Sequence, residues 1–313
     1  MIVRQIQDGV RTDLSVSLSD QKDTGNAVIS VCTAAADYAL GPERLAVLCA
    51  WGGRQEVLID GRRVVVDDDT WLAVPAGSPS VRVRGSETTQ ALTVLFRPGL
   101  PQEVLGALLT PDDRMLDVAE FEETAAVPFL PHLQPHDRSV TPVLLFIRRH
   151  RDMGLQDPLW YEEQLAFLLE RMLTRHRHVV QRARSVPVRR STTRREILRR
   201  ISLATDFIHS SYEKPLMLGD MARAAFLSRH HFLRLFKHVH EITPHEYLQR
   251  KRTSVAARLL RDSALSVEDV VRQVGFDSRS TLFRAMRRFH GVTPRECRHT
   301  GETFALMSES AVA

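Results

Sequence analysis

The alternation of apolar and polar residues changes period along the chain. From Ala27 to Phe96 it runs in short bursts separated by turn residues. Leu45–Ala50, Glu56–Ile59, Arg63–Val66, Trp71–Val74 and Ala91–Phe96 stand out as strands, with Asp60-Gly61 as a hairpin turn and Pro75-Ala76-Gly77 as another. Many short strands imply a sandwich or barrel. Helical spacing follows over Pro101–Leu109, Val140–Arg151 and Pro158–Val180. The last segment carries Leu165, Leu168, Leu169, Met172 and Leu173 as an apolar stripe on an otherwise charged helix.

The C-terminal third repeats itself. Ala225–Lys237 aligns without gaps to Gly275–Arg287 at an offset of 50 residues. The match continues through His240/His290, Thr243/Thr293, Pro244/Pro294 and Glu246/Glu296. Such a period marks one supersecondary unit used twice. Each copy reads as helix, tight turn, helix. Ser266 is an expected N-cap with Asp269 three residues on, Ala225 or Gly275 marks the turn, and Ser228 or Ser278 caps the second helix. Phe232, Leu235, Phe236 and Val239 form one core stripe, and Leu282, Ala285, Met286 and Phe289 form the other. The opposite faces carry Arg229, His230, Leu233, Arg234 and Lys237, and Arg279, Ser280, Phe283, Arg284 and Arg287. Thr243-Pro244 opens a connector to about Arg261, with Tyr247, Leu248, Val255, Leu259 and Leu260 able to pack on both units.

Charge agrees with this division. Arg194–Arg298 holds 21 Lys/Arg and 11 Asp/Glu, a net of +10, whereas the remainder holds 22 and 27. A basic module beside a mildly acidic one suits a polyanion-binding domain attached to a domain with another task. A single basic amphipathic helix is most simply a solvated face. Two with matched caps, turns and basic positions point to double-stranded DNA, where arginine bonds guanine O6/N7, apolar groups meet thymine methyls, and basic residues in the last turn reach phosphates.

The segments LSRHHFLRLFKHVHEITPHEYLQRKR and VGFDSRSTLFRAMRRFHGVTPREC resemble the AraC family of bacterial transcription regulators over about Ile201–Arg298. The resemblance implies that the second helix of each unit enters the major groove. By motif position, His230, Leu233 and Arg234, then Arg279, Ser280, Thr281 and Arg284, would read bases. Ser228, Arg229, Lys237, Ser278 and Arg287 would meet phosphates. RNA polymerase would be a further partner if the output is activation. Three departures matter. Glu241 stands where the family usually has Gly, so the first unit is expected to end its helix differently. Met286 replaces a usual Phe and Cys297 a usual aromatic, suggesting a looser second unit.

The stretch VLIDGRRVVVDDDTWLAVPAGSPSVRV resembles the cupin-like sensor domain of many such regulators. The expected architecture is an N-terminal mainly-β cupin-like barrel with trailing helices and a C-terminal all-α double helix-turn-helix. The divisions are 1–181 (β part about 27–100, helices about 101–181), a linker at 182–195, the DNA-binding domain at 196–300 and a disordered tail at 301–313. Cupin enzymes bind metal through histidines and a carboxylate. This chain has no histidine before His132, and Ser80 stands where a cupin often has His. His132, His136, His150, His176 and His178 lack ligand spacing. No metal, other cofactor or enzymatic activity is therefore expected, against the alternative of a metal-dependent cupin-type enzyme fused to a DNA-binding tail. Tyr38, Trp51, Trp71 and Phe96 could line a pocket for an unidentified small-molecule effector, or could simply be core. In a third reading the front half only dimerises. The resemblance implies a homodimer, with part of the 158–180 helix surface pairing subunits, whereas packing on the chain's own barrel is the plainer use of that stripe. Three scattered cysteines, no apolar stretch of membrane length and no secretory signal suggest a cytoplasmic protein with reduced thiols and no membrane partner.

Overall fold

The computed structural model describes residues 2–7, 25–32, 37–59, 61–78, 81–85, 89–109, 132–184 and 191–299. Asp60, Ser80, residues 185–190 and the tail lie outside the described residues. The chain divides into two compact units, Met1–Val180 and Gln181–Ala313.

Among the described residues the first unit is built on ten strands: β1 (Ile2–Gln7), β2 (Ala27–Cys32), β3 (Asp37–Leu40), β4 (Ala46–Trp51), β5 (Arg54–Ile59), β6 (Arg62–Asp67), β7 (Thr70–Val74), β8 (Val81–Gly85), β9 (Gln90–Leu95) and β10 (His132–Pro135). Six pair in the order β1-β2-β9-β4-β7-β10, and four in the order β3-β8-β5-β6. Every ladder is antiparallel except β1 with β2. The β5–β6 register pairs Ile59 with Arg62 across a two-residue turn whose Gly61 has φ 77°. No ladder joins the two sheets among the described residues, so the mainly-β character expected from the sequence is present as two sheets, without barrel closure among those residues.

Strand periodicity explains the layering. In β4, Ala46, Leu48 and Ala50 face the inter-sheet core with Val57, Val64 and Val83. Val47 and Cys49 face the opposite side, under the helices. The described helices of this unit are α1 (Leu100–Leu109), α2 (Thr141–Asp152) and α3 (Pro158–Arg184). The α3 stripe Leu165, Leu168, Leu169, Met172 and Leu173 is at most 2% exposed and packs with α2 on the outer face of the six-stranded sheet. Its apolar surface is thus buried within the chain. The helix layer is stitched to the sheet by Asn26, whose amide donates to Glu162 and whose Oδ1 accepts the Arg97 N–H at 2.7 Å. No helix of the described residues is long and apolar enough to cross a membrane.

The second unit holds α4 (Ser191–Ser211), α5 (Leu218–Ala224), α6 (Arg229–His240), α7 (Pro244–Asp262), α8 (Val267–Gln273), α9 (Arg279–His290) and α10 (Pro294–His299). The interval expected to be linker, 182–195, is helical at both ends: α3 continues to Arg184 and α4 already begins at Ser191. Phe232, Leu235 and Phe236 of α6 are buried, as are Leu282 and Met286 of α9. Helix α6 packs on α4 and α5 and also on α7, on which α9 packs too, and Leu248, Val255, Ala256 and Leu260 of α7 are buried in turn. The connector thereby packs on both copies of the repeat.

Candidate nucleic-acid interface

The two copies share caps and differ in their turns. Ser228 accepts the His231 N–H at 3.4 Å, and Ser278 accepts the Thr281 N–H at 3.2 Å. Both recognition-type helices, α6 and α9, therefore start from a serine that satisfies a free N–H of the first turn. Thr243 and Ser266 cap α7 and α8 in the same way. Asp269 accepts the Ser266 hydroxyl at 2.6 Å. That bond and Arg272 hold its carboxyl below the usual range. In the first copy the Asp220 carboxylate accepts the Met217 N–H at 3.0 Å.

The repeat is not gapless in space. α5 and α8 start 49 residues apart, at Leu218 and Val267, whereas α6 and α9 start 50 apart, at Arg229 and Arg279. The second turn holds one more residue, Asp277. Helices α5 and α8 both end in the paired Schellman bonds. Leu227 N–H donates to Ala222 O and Phe226 N–H to Arg223 O, both at 3.0 Å. Phe276 N–H donates to Val271 O at 3.0 Å and Gly275 N–H to Arg272 O at 3.3 Å. The true counterpart of Gly275 (φ 79°) is Phe226 (φ 54°), not Ala225. The next helix end carries a second correction. Glu241 adopts φ 63° at the α6 end, as Gly291 does with φ 72° after α9, so both helices end left-handed.

The residues expected to read bases are gathered on two outward faces. His230, Leu233 and Arg234 are exposed on α6, and Arg279, Ser280 and Arg284 on α9. Thr281 is half-buried, and its hydroxyl sits 2.9 Å from Ser278 Oγ, within the cap. Of the residues assigned to phosphates, Arg229, Lys237 and Arg287 are exposed, while the Ser228 and Ser278 hydroxyls are engaged in capping. Phe283, Arg284, Arg287, Arg288 and Thr293 line an open groove of about 530 Å³. Arg279 Nη1 donates to Glu268 Oε1 at 2.8 Å. The Arg229 guanidinium instead lies over Gly219, 3.0 Å from where a Cβ would stand.

The two copies are joined by a group the sequence reading passed over. Arg252 on α7 is 6% exposed. Its Nε donates to Tyr212 O at 2.8 Å and its Nη2 to Lys214 O at 2.7 Å, at the end of α4. The same guanidinium lies 5.8 Å from the Phe276 ring in the second turn. Burial lowers its pKa, yet guanidinium stays charged and two carbonyl dipoles face it. This strap runs from the segment leading into the first copy to the turn of the second.

In the first unit, Tyr38 is buried in the inter-sheet core, where its hydroxyl is 2.7 Å from Thr93 Oγ1 and burial pushes its pKa up to about 12. Trp71 and Phe96 belong to the core on the other side of the six-stranded sheet, and Trp51 packs at its margin. The four aromatics therefore do not line one cavity. His150 stacks on Trp160 at 3.6 Å, and His136 Nδ1 is 3.1 Å from Thr141 Oγ1.

Residues 221–300 match the model of a helix-turn-helix domain family. Over 92 residues the chain is 33% identical to a probable transcriptional regulator, LumQ, of Photobacterium leiognathi, covering 29% of this chain and 37% of that one. Over 99 residues it is 30% identical to the lactose operon transcription activator of Staphylococcus xylosus, covering 32% of this chain and 36% of that one. The chain thus spans little more than a third of the length of these relatives. Among solved structures, a transcriptional regulator of Chromobacterium violaceum described as containing an AraC-type DNA-binding domain is 27% identical, covers 33% of this chain and 93% of that one, and has a TM-score of 0.32. Residues 221–300 of the chain are a helix-turn-helix domain, similar in sequence to part of known transcription regulators.

Proposed function

We propose that the chain is a sequence-specific transcription regulator whose two helix-turn-helix units read adjacent major grooves on one face of DNA. The observation that carries this reading is the pair of serine-capped helices α6 and α9, each exposing a basic face and each buried on the same connector. Adjacent grooves lie roughly 34 Å apart, so the readers must be held at a fixed spacing. The α7 helix and the Arg252 strap are suited to that task. Base reading is assigned to His230, Leu233, Arg234, Arg279, Ser280, Thr281 and Arg284, and phosphate contact to Arg229, Lys237 and Arg287 with the Ser228 and Ser278 caps. Arg284→Ala should cost roughly 1–3 kcal/mol on the selected site and relax preference at one base pair. Equal loss on selected and random duplex would remove Arg284 from the readers.

Control is assigned to the N-terminal domain through homodimerisation. The α2–α3 region leaves Leu145, Phe146, Met153, Leu155, Leu159 and Phe167 exposed, between 38% and 70%, which is costly for a lone surface. The inter-sheet space is filled by the domain's own side chains, which favours subunit pairing over a small-molecule effector held there. Phe146→Glu with Leu159→Glu should shift the sedimentation coefficient to that of a monomer. A variant sedimenting like the parent would move the pairing surface elsewhere. Saturable stabilisation by a small molecule would restore effector control, and tightly bound metal would restore the cupin-enzyme alternative. The Staphylococcus relative is named an activator, which favours activation, with RNA polymerase as the further partner.

A further inference from the structure

We propose that Glu268 sets the selectivity of the second helix-turn-helix unit by holding the Arg279 guanidinium in the orientation that meets a base edge. This rests on the reading of α9 as a DNA-reading helix. Glu268 and Arg279 are 11 residues apart, on α8 and α9, and meet at 2.8 Å. Both side chains are more than half exposed. An exposed ion pair adds little to folding, and a carboxylate beside a polyanion lowers affinity for every DNA sequence. Its compensating effect is on direction. Glu268 takes one N–H of the planar fork and leaves the rest to face outward. A guanidinium so braced is poised for guanine O6/N7, whereas an unbraced one can swing to any phosphate.

The first unit supplies the contrast. With the turn insertion taken into account, Gly219 occupies the place of Glu268, at the second position of its helix. Arg229, the counterpart of Arg279, lies against that glycine, and no ion pair of its guanidinium is seen among the described residues. The same arginine thus serves as a general DNA contact in one unit and a discriminating one in the other. The second unit is therefore the dominant reader of sequence.

The experiment is a selection of duplexes from a pool randomised across two neighbouring grooves, using the full chain, Glu268→Gln, Glu268→Ala and Gly219→Glu, with affinities for the winning and random duplexes. Glu268→Ala should bind random duplex more tightly. Its ratio of selected to random affinity should fall roughly tenfold or more, with the loss confined to one base pair of the second half-site. Glu268→Gln keeps an acceptor for Nη1 and should retain most of that preference. Gly219→Glu should sharpen one position in the first half-site. If Glu268→Ala and Glu268→Gln tighten binding to selected and random duplex alike and leave the preference intact, Glu268 acts only as a repelling charge and the inference is overturned. A parent chain that enriches no sequence overturns sequence reading itself, and the inference with it.

Discussion

The two helix-turn-helix units solve one backbone problem with different residues. Each needs two left-handed positions, one inside the turn and one after the recognition helix. The second unit uses Gly275 and Gly291, and the first uses Phe226 and Glu241. A side chain there costs about 1 kcal/mol at each position. The first unit offsets that strain with an interlocked aromatic core. Phe236 meets Phe232, His240 and Tyr247 at centroid distances of 4.4–5.5 Å, and Tyr247 reaches His209 Nε2 at 2.9 Å. The second unit has Met286 and Cys297 buried instead, with Phe289 half-buried between the guanidiniums of Arg250 and Arg288. Local strain and tertiary packing are traded against each other, and neither alone defines the motif.

Substitutions at the left-handed positions test this contrast most severely. Gly275→Ala forces an alanine to φ 79° and sets its methyl 2.5 Å from Glu213 O. It should destabilise the domain by roughly 2–4 kcal/mol, read from the urea midpoint. A loss under half a kcal/mol would show that the turn can yield. Glu241→Gly should move the other way, adding about 1 kcal/mol, and a neutral result would place a compensating contact at Glu241. Lys237→Ala should weaken binding to all duplexes and flatten the salt slope by about 1. An unchanged slope puts Lys237 off the phosphates. The smallest effect concerns acid. Glu296 accepts the Thr293 N–H at 2.7 Å, and this bond keeps its carboxyl below the ordinary 4.5. A depressed folded pKa gives stability that is present above pH 4.5 and lost as pH falls through the lower folded value. The protection factor of the Thr293 amide against hydrogen exchange should therefore fall in acid, and Glu296→Gln should remove that pH dependence.

Much of this was legible from residues alone. Serine caps, the 3.6-residue stripes and the Thr-Pro starts are local signals, and Ser228, Ser278, Thr243 and Ser266 all cap as their positions suggest. The strands from Leu45 to Phe96 were legible through their turns. What escaped depends on distant partners. A gapless alignment put Gly275 opposite Ala225 and hid the match of Glu268 with Gly219, because it places the extra residue of the second turn nowhere. Arg252 reads as one more charge on a solvated helix until its acceptors, the Tyr212 and Lys214 carbonyls about 40 residues earlier, are seen. The α3 stripe could serve a partner subunit or the chain's own sheet, and only the packed sheet face decides between them.

The Arg252 strap should make the two motifs unfold as a single unit. The second turn leans on Glu213, and Arg252 spans from Tyr212 and Lys214 to Phe276. Neither motif owns all the groups that stabilise it, so a chain cut between α6 and α7 leaves the Arg252 guanidinium on one side of the break and its Tyr212 and Lys214 carbonyl acceptors on the other. Melting of either motif should release the other in one cooperative step. A segment exchange between relatives would then succeed only where it carries the α4 terminus, α7 and the second turn together.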